Sequence, residues 1–257
     1  MKKLSIFLVF LFTIHVATAS LLVEPAKFEF VLNGLEKTTE AIRVTNVTQL
    51  SLVINVNAYD WDLNENGDLE SNKLGTLDST LSGHIQFNPR RFSIAPGQTQ
   101  IVRVTITMPE EKPLERRSII FFESEQSSFS GNIQTIFQTL IGTTIYATNK
   151  KASSSVEVLA FEHTVDDEND LTLHMFTQNT GEAHIRVNVS YGIYDLGNQL
   201  LYSGDVVDTV LLPEQKHTFH LPVEENILFG LYNVIGRITF TDTMNFVPFN
   251  VPLTISD

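Results

Sequence analysis

From Ser20 onward the sequence is dominated by apolar and polar residues alternating with a period of two. The stretches "AIRVTNVT" (41–48), "SLVINVNAY" (51–59), "QIVRVTITM" (100–108) and "IRVNVSYGIY" (185–194) carry the pattern. Such alternation turns successive side chains to opposite sides of a half-buried strand. Valine, isoleucine, threonine and phenylalanine supply the apolar set, which suits pleated surfaces. Turn signals interrupt it at short intervals: "LNGLEK", "NENGD", "APGQ", "NTGE", "DLGNQ" and "LPEQ". No segment has the spacing of an amphipathic helix. Many short strands with regular turns predict an all-β protein made of antiparallel sandwiches.

The clearest break is "ATNKKASSSVEV", residues 147–158, which is small, polar and basic between two β-rich blocks. It predicts two immunoglobulin-like β-sandwich domains in tandem, 20–148 and 156–257, joined by a linker at 149–155. The competing arrangement is one continuous barrel. The first nineteen residues stand apart. "MKK" is a basic start, "LSIFLVFLFTIHV" an apolar stretch and "ATA" a small-residue cleavage site before Ser20, so 1–19 is expected to be a signal peptide. An uncleaved anchor is the alternative, but the stretch is shorter than the roughly 20 residues that span a bilayer. No later segment is long and apolar enough for membrane insertion, so the periplasm of a bacterial envelope is the expected location.

Composition narrows the function classes. At 42% hydrophobic and 18% charged, the 257-residue chain can bury cores, and it has no cysteine for disulfide or thiolate chemistry. The formal charge of −13 becomes −15 when Lys2 and Lys3 leave with the leader (−13 − 2), which argues against nucleic acid or anionic lipid as partners. "DLNENGDLESNK", with Asp62, Asn64, Asn66, Gly67 and Asp68, imitates the start of a calcium loop. Its twelfth position is Lys73, where a calcium loop needs a bidentate glutamate, and an Asn-Gly hairpin tip explains the stretch better. His217 and His220 in "HTFH" point to opposite faces if they lie on a strand, and no His-Glu-x-x-His pattern occurs, so no metal site is expected. No nucleophile elbow and no phosphate loop is present. The reading is of a protein that is not an enzyme and uses no cofactor.

One stretch is richer in punctuation than the rest: "FNPRRFSIAPGQTQIVRV", 87–104. Pro89 holds Asn88 extended, and Pro96-Gly97 fits a type II turn leading into an alternating strand. The alternation allows Arg103 an inward orientation, which would require a carboxylate partner. The stretch resembles the signature of periplasmic chaperones of the chaperone–usher pilus pathway, "PP-x-F-x-[IL]-x-PG-x-x-Q-x-VR", at Pro89, Phe92, Ile94, Pro96, Gly97, Gln100, Val102 and Arg103. Further matches follow in order. "AYDWDLNENGD" resembles the tryptophan hairpin of the family's archaic branch. "ERRSIIFFESEQ" and "NIQTIFQTLIGTTIYA" resemble the arginine-led strand and the long last strand of the first domain. "FTQNTGEAHIRV" resembles an "N-x-G-x-x-H-x-R" strand pair of the second.

The resemblance implies a chaperone that lends a strand to pilus subunits and passes them to an outer-membrane usher. It also implies a donor strand over 133–145. One face of that strand would present Ile133, Thr135, Phe137, Thr139 and Ile141, and the other Gln134, Ile136, Gln138 and Leu140. Aligning by "QT" assigns the first set to the client; aligning by Tyr146 shifts the register by one. A strand buried on both faces within its own domain is the alternative. The family's two basic clamp residues are missing, with Phe28 or Glu29 at one position and Gly142 or Thr143 at the other. "ATN" replaces the basic residue and proline that follow the donor strand in the family. Lys27, Arg116 and Arg117, with Arg90 and Arg91, are the candidates for gripping a client carboxylate. The competing function is a structural or adhesive tandem immunoglobulin-like protein with a closed first domain.

Overall fold

The structure, a computed structural model, describes residues 20–64, 67–130, 133–166, 171–224, 227–240 and 245–255. The expected signal peptide and Asn66 lie outside the described residues, as do the side chains of 125–130, 133–137 and 207–209. The first half begins with strands β1 (Leu21–Glu24), β2 (Lys27–Leu32), β3 (Lys37–Asn46), β4 (Leu52–Leu63) and β5 (Leu69–Lys73). It continues with β6 (Ile85–Asn88), β7 (Arg91–Ile94), β8 (Thr99–Thr107), β9 (Glu115–Ser130) and β10 (Ile133–Asn149). The second half has β11 (Val156–Val165), β12 (Leu171–Asn179), β13 (Ile185–Tyr194) and β14 (Leu200–Leu211). It closes with β15 (Lys216–Val223), β16 (Gly230–Phe240) and β17 (Phe246–Ile255).

Each half is a sandwich of two sheets. In the first, β1-β3-β8-β6 faces β2-β10-β9-β4-β5, with β7 also pairing β4. In the second, β11-β12-β15 faces β14-β13-β16-β17. Alternation carries the cores. Strand β12 buries Leu171, Leu173 and Met175 while its even positions stay half-exposed. Strand β8 buries Val102, Val104 and Ile106.

That register corrects the inward expectation for Arg103, which faces solvent between Val102 and Val104. Once those two valines point inward, the residue between them has to point out. The turn before β8 forms as the sequence predicts, with Gly97 at φ 69° and the Gln98 N–H donating to Ala95 O at 3.1 Å. The calcium-like stretch closes the β4–β5 hairpin, where the Gly67 N–H donates to Asn64 O at 2.9 Å.

A third, smaller cluster joins the halves. Trp61, Ile119 and Tyr146 of the first sandwich pack with Leu212 of the second. Trp61 meets Tyr146 edge-on at 5.2 Å between ring centroids.

Candidate functional site

Strand β10 is paired along its whole length with β9 on one side, from Ile133↔Ser130 to Thr148↔Glu115. On its other side it pairs only with β2, in parallel, from Thr144↔Lys27 to Asn149↔Leu32. Among the described residues no strand covers the outer edge of Ile133–Thr143. At about 3.3 Å per residue this is roughly 35 Å of unpaired backbone.

The cause lies at Pro25. The chain enters as β1, pairs with β3 of the opposite sheet, and only after Pro25 crosses to β10 as β2. Two bonds mark the crossing. Thr144 N–H donates to Ala26 O at 3.0 Å, and Thr143 Oγ1 donates to Pro25 O at 2.9 Å. Strand β4 likewise stops covering β9 at Ser124. Beyond it, Glu125–Ser130 and Ile133–Gln138 continue as a two-stranded ribbon.

The two faces of β10 differ. Ala147 and Ile145 are fully buried in the first core, and Ile141 packs partly against it. Thr143 is also buried, and Thr139 accepts a 2.8 Å hydrogen bond from Ser20 Oγ. This odd set therefore faces the interior of the sandwich. On the even face Leu140 is 50% exposed. Gly142 sits on that face because a Cβ there would lie 2.6 Å from Ile119 Cδ1. Ile133, Thr135 and Phe137 share the odd register at the level of the backbone.

Unpaired edges invite added strands, and two of the other edges of the fold are blunted. Edge strands β15 and β17 carry Pro222, Pro248 and Pro252, which lack the N–H that a ladder needs. The open stretch of β10 contains no proline.

The candidate cations divide. Lys27 lies beside Thr144, where β2 begins, and its half-exposed ammonium is 2.7 Å from Glu29 Oε1. Arg116 and Arg117 sit opposite Ala147 and Tyr146, at the covered end of β10. Arg116 donates to the carbonyls of Asp78, Thr80 and Lys112. Arg117 is buried, pairs with Glu115 at 3.1 Å and lies over the Trp61 ring. Both guanidinium groups are thus committed to internal acceptors. Arg90 stacks on Phe87, and Arg91 is exposed.

The charged network between the halves joins Glu115 and Arg117 of "ERRSIIFFESEQ" to His184 and Arg186 of "FTQNTGEAHIRV", a meeting that neither motif signals by itself. Buried Glu115 accepts from His184 Nδ1 at 2.6 Å, from the His184 backbone N–H at 2.8 Å and from Thr148 Oγ1 at 3.0 Å. Burial pushes the Glu115 carboxyl up, but the hydrogen bond and charge of His184, with Arg117, hold it below the ordinary range. Glu29 joins Lys27 to Arg186 Nε at 3.3 Å. Its carboxyl is raised by burial and then drawn below the ordinary range by Lys27, Arg186 and His184. Tyr146, stacked on His184 at 4.1 Å, has its hydroxyl pushed up to about 12 by burial.

No protein-family model and no curated protein matches the sequence. Solved structures share the fold. The class 5 fimbriae chaperone CfaA is 12% identical with a TM-score of 0.55, over 91% of this chain and 100% of that one. A chain from the chaperone–tip adhesin complex of CFA/I fimbriae biogenesis is 12% identical with a TM-score of 0.52, over 93% of this chain and 99% of that one. The chain therefore has the two-domain β fold of fimbrial chaperones.

Proposed function

We propose that this protein is a periplasmic, ATP-independent chaperone that caps pilus subunits by lending them β10 and delivers them to an outer-membrane usher. The observation that carries the reading is the single ladder on Ile133–Thr143, a long open edge without the prolines that blunt β15 and β17. A subunit lacking a strand exposes an apolar groove and unpaired backbone groups, both of which drive aggregation. A donated strand satisfies the hydrogen bonds, and its alternate side chains fill the groove. The odd set serves the client, because its face already continues the core through Ala147, Ile145 and Ile141. A client laid along the open edge ends where β2 begins, beside Lys27. Lys27 is the anchor we assign to a client carboxylate, and Arg116 and Arg117 serve the junction between the domains.

Co-expression with a pilin encoded beside this gene tests the reading. A stable one-to-one complex is expected, with amides of 133–143 gaining protection from hydrogen exchange. A pilin equally soluble and monomeric without this protein would end the proposal, as would unchanged exchange over β10.

A further inference from the structure

The outer face of the sheet β11-β12-β15 carries a row of one acidic and two histidine side chains. Register sets Glu162 opposite His174, and His174 opposite His220. Their neighbours Leu173, Met175, Phe219 and Leu221 are buried in the second core, so alternation turns the row outward. His174 Nδ1 and His220 Nδ1 are 3.0 Å apart, with the ring planes at 84°. His174 Nε2 is 2.9 Å from Thr164 Oγ1, a bond that fixes the ring's orientation. A groove of about 1020 Å³ lies over the row, lined also by Leu159, Phe176 and His217.

Two ring nitrogens so close hold at most one proton between them. With that proton removed, the same two nitrogens stand close enough to share one metal ion. With metal–nitrogen bonds of about 2.0–2.1 Å, two tetrahedral ligands stand roughly 3.3 Å apart, within a few tenths of an ångström of the spacing present. Imidazole favours Zn²⁺ and Cu²⁺ over hard Ca²⁺ and Mg²⁺. We propose that His174 and His220 form a two-histidine site for a borderline divalent cation, Zn²⁺ or Cu²⁺, on the outer face of the second domain. Among the described residues no three ligating side chains are gathered into a complete site. The pair supplies two ligands, and solvent completes the shell. A cross-strand bond to the Thr164 hydroxyl supports His174 in the way that outer-shell partners orient metal-bound imidazoles.

The test uses the protein purified without a polyhistidine tag and titrated calorimetrically with CuCl₂ and ZnCl₂. One equivalent is expected to bind, with nitrogen hyperfine structure from two imidazoles in the Cu²⁺ spectrum. Affinity should fall at least tenfold in both His174→Gln and His220→Gln and persist in His217→Gln. CaCl₂ and MgCl₂ should give no saturable heat. In the unaltered protein, substoichiometric Cu²⁺ should broaden the ring signals of His174 and His220 before those of His84, a readout that does not depend on how the variants fold. Absence of saturable binding, retention in either single variant, or earlier broadening at His84 overturns the site. The strand-donor reading concerns the first domain and stands apart from this result.

Discussion

Glu115 of the first domain and His184 of the second are joined twice, the ring Nδ1–H and the backbone N–H of His184 both donating to Glu115 Oε2 at 2.6 and 2.8 Å. The carboxylate is buried and also takes Arg117 Nη1 and Thr148 Oγ1, so it binds strands β9 and β10 to the start of β13. A buried charge stripped of its partner is costly, whereas an exposed pair such as Lys112–Glu182 contributes little. Glu115→Gln is expected to lower stability by about 3 kcal/mol. Denaturant unfolding of Glu115→Gln, His184→Ala and the double variant checks this. The two single effects should fail to add, because they remove one shared interaction.

The same carboxylate fixes a dependence on acid. Its value in the folded protein lies below the ordinary carboxylate range, so the unfolded chain takes up the proton first as pH falls. The stabilisation is therefore complete above that range and is lost as pH drops through it and below. The melting temperature of the wild type should decline across this window, and Glu115→Gln should flatten the decline. Parallel slopes in the two proteins would show that the acid sensitivity arises elsewhere.

Asn46 and Asn179 occupy equivalent places in the two sandwiches, at the ends of β3 and β12. Asn46 Nδ2 donates to the carbonyls of Leu50 and Ile94, and Asn179 Nδ2 to those of Ala183 and Leu211. Each side-chain oxygen accepts a backbone N–H two residues on, from Thr48 and Gly181. Replacement by Ala leaves buried backbone groups unpaired, at about 1–3 kcal/mol each. Thermal unfolding of Asn46→Ala and Asn179→Ala should show comparable losses, and Asp at either position should not restore the two carbonyl bonds.

Much of this architecture is legible in the chain because it is local. The alternation of "LTLHMFTQN" places Leu171, Leu173 and Met175 inward without reference to any other strand. Pro96-Gly97 specifies its turn from two residues. Arg103 failed because an imperfect alternation fits two registers, and only the partners in β3 and β6 choose between them. The contact between His174 and His220 is hidden for the same reason. Spacing in "HTFH" sends His217 and His220 to opposite faces, and only the ladder brings His220 to His174, 46 positions away. The open edge of β10 depends on where Pro25 sends β1, which pattern alone does not reveal; the family signature supplied it.

Gly181 shows how the linker is seated. A Cβ at this position would stand 2.6 Å from Ser153 O and 2.7 Å from Ser155 N, both backbone atoms of the segment before β11. The neighbouring N–H groups of Glu182 and Ala183 donate to Ser153 O at 2.8 and 3.1 Å. Gly181→Ala must push the linker away and strain these bonds, a cost of about 1–3 kcal/mol by analogy with overpacked sites. Limited proteolysis should cut the variant between Lys150 and Ser155 faster than the wild type, with the second core still folded by near-ultraviolet dichroism.

If β10 is lent to a client as proposed, its register decides which side chains the client meets. The interior-facing set of Thr139, Ile141, Thr143, Ile145 and Ala147 continues in sequence through Phe137, Thr135 and Ile133. Beyond the last pairing with β4 at Ser124 the ribbon has no neighbouring strand among the described residues, so substitutions there should shift stability by no more than about 0.5 kcal/mol. Client capture should respond instead. Burying an apolar side chain is worth about 1.5–3 kcal/mol, so Ile133→Ala and Phe137→Ala should each weaken a pilin complex roughly tenfold or more. Gln134→Ala and Gln138→Ala should leave it within about twofold, the range expected of surface changes. Dissociation constants measured with one purified pilin distinguish the faces. Sensitivity at Gln134, Ile136 and Gln138 with tolerance at Ile133 and Phe137 would reverse the assignment, and indifference at every position would remove β10 from client binding.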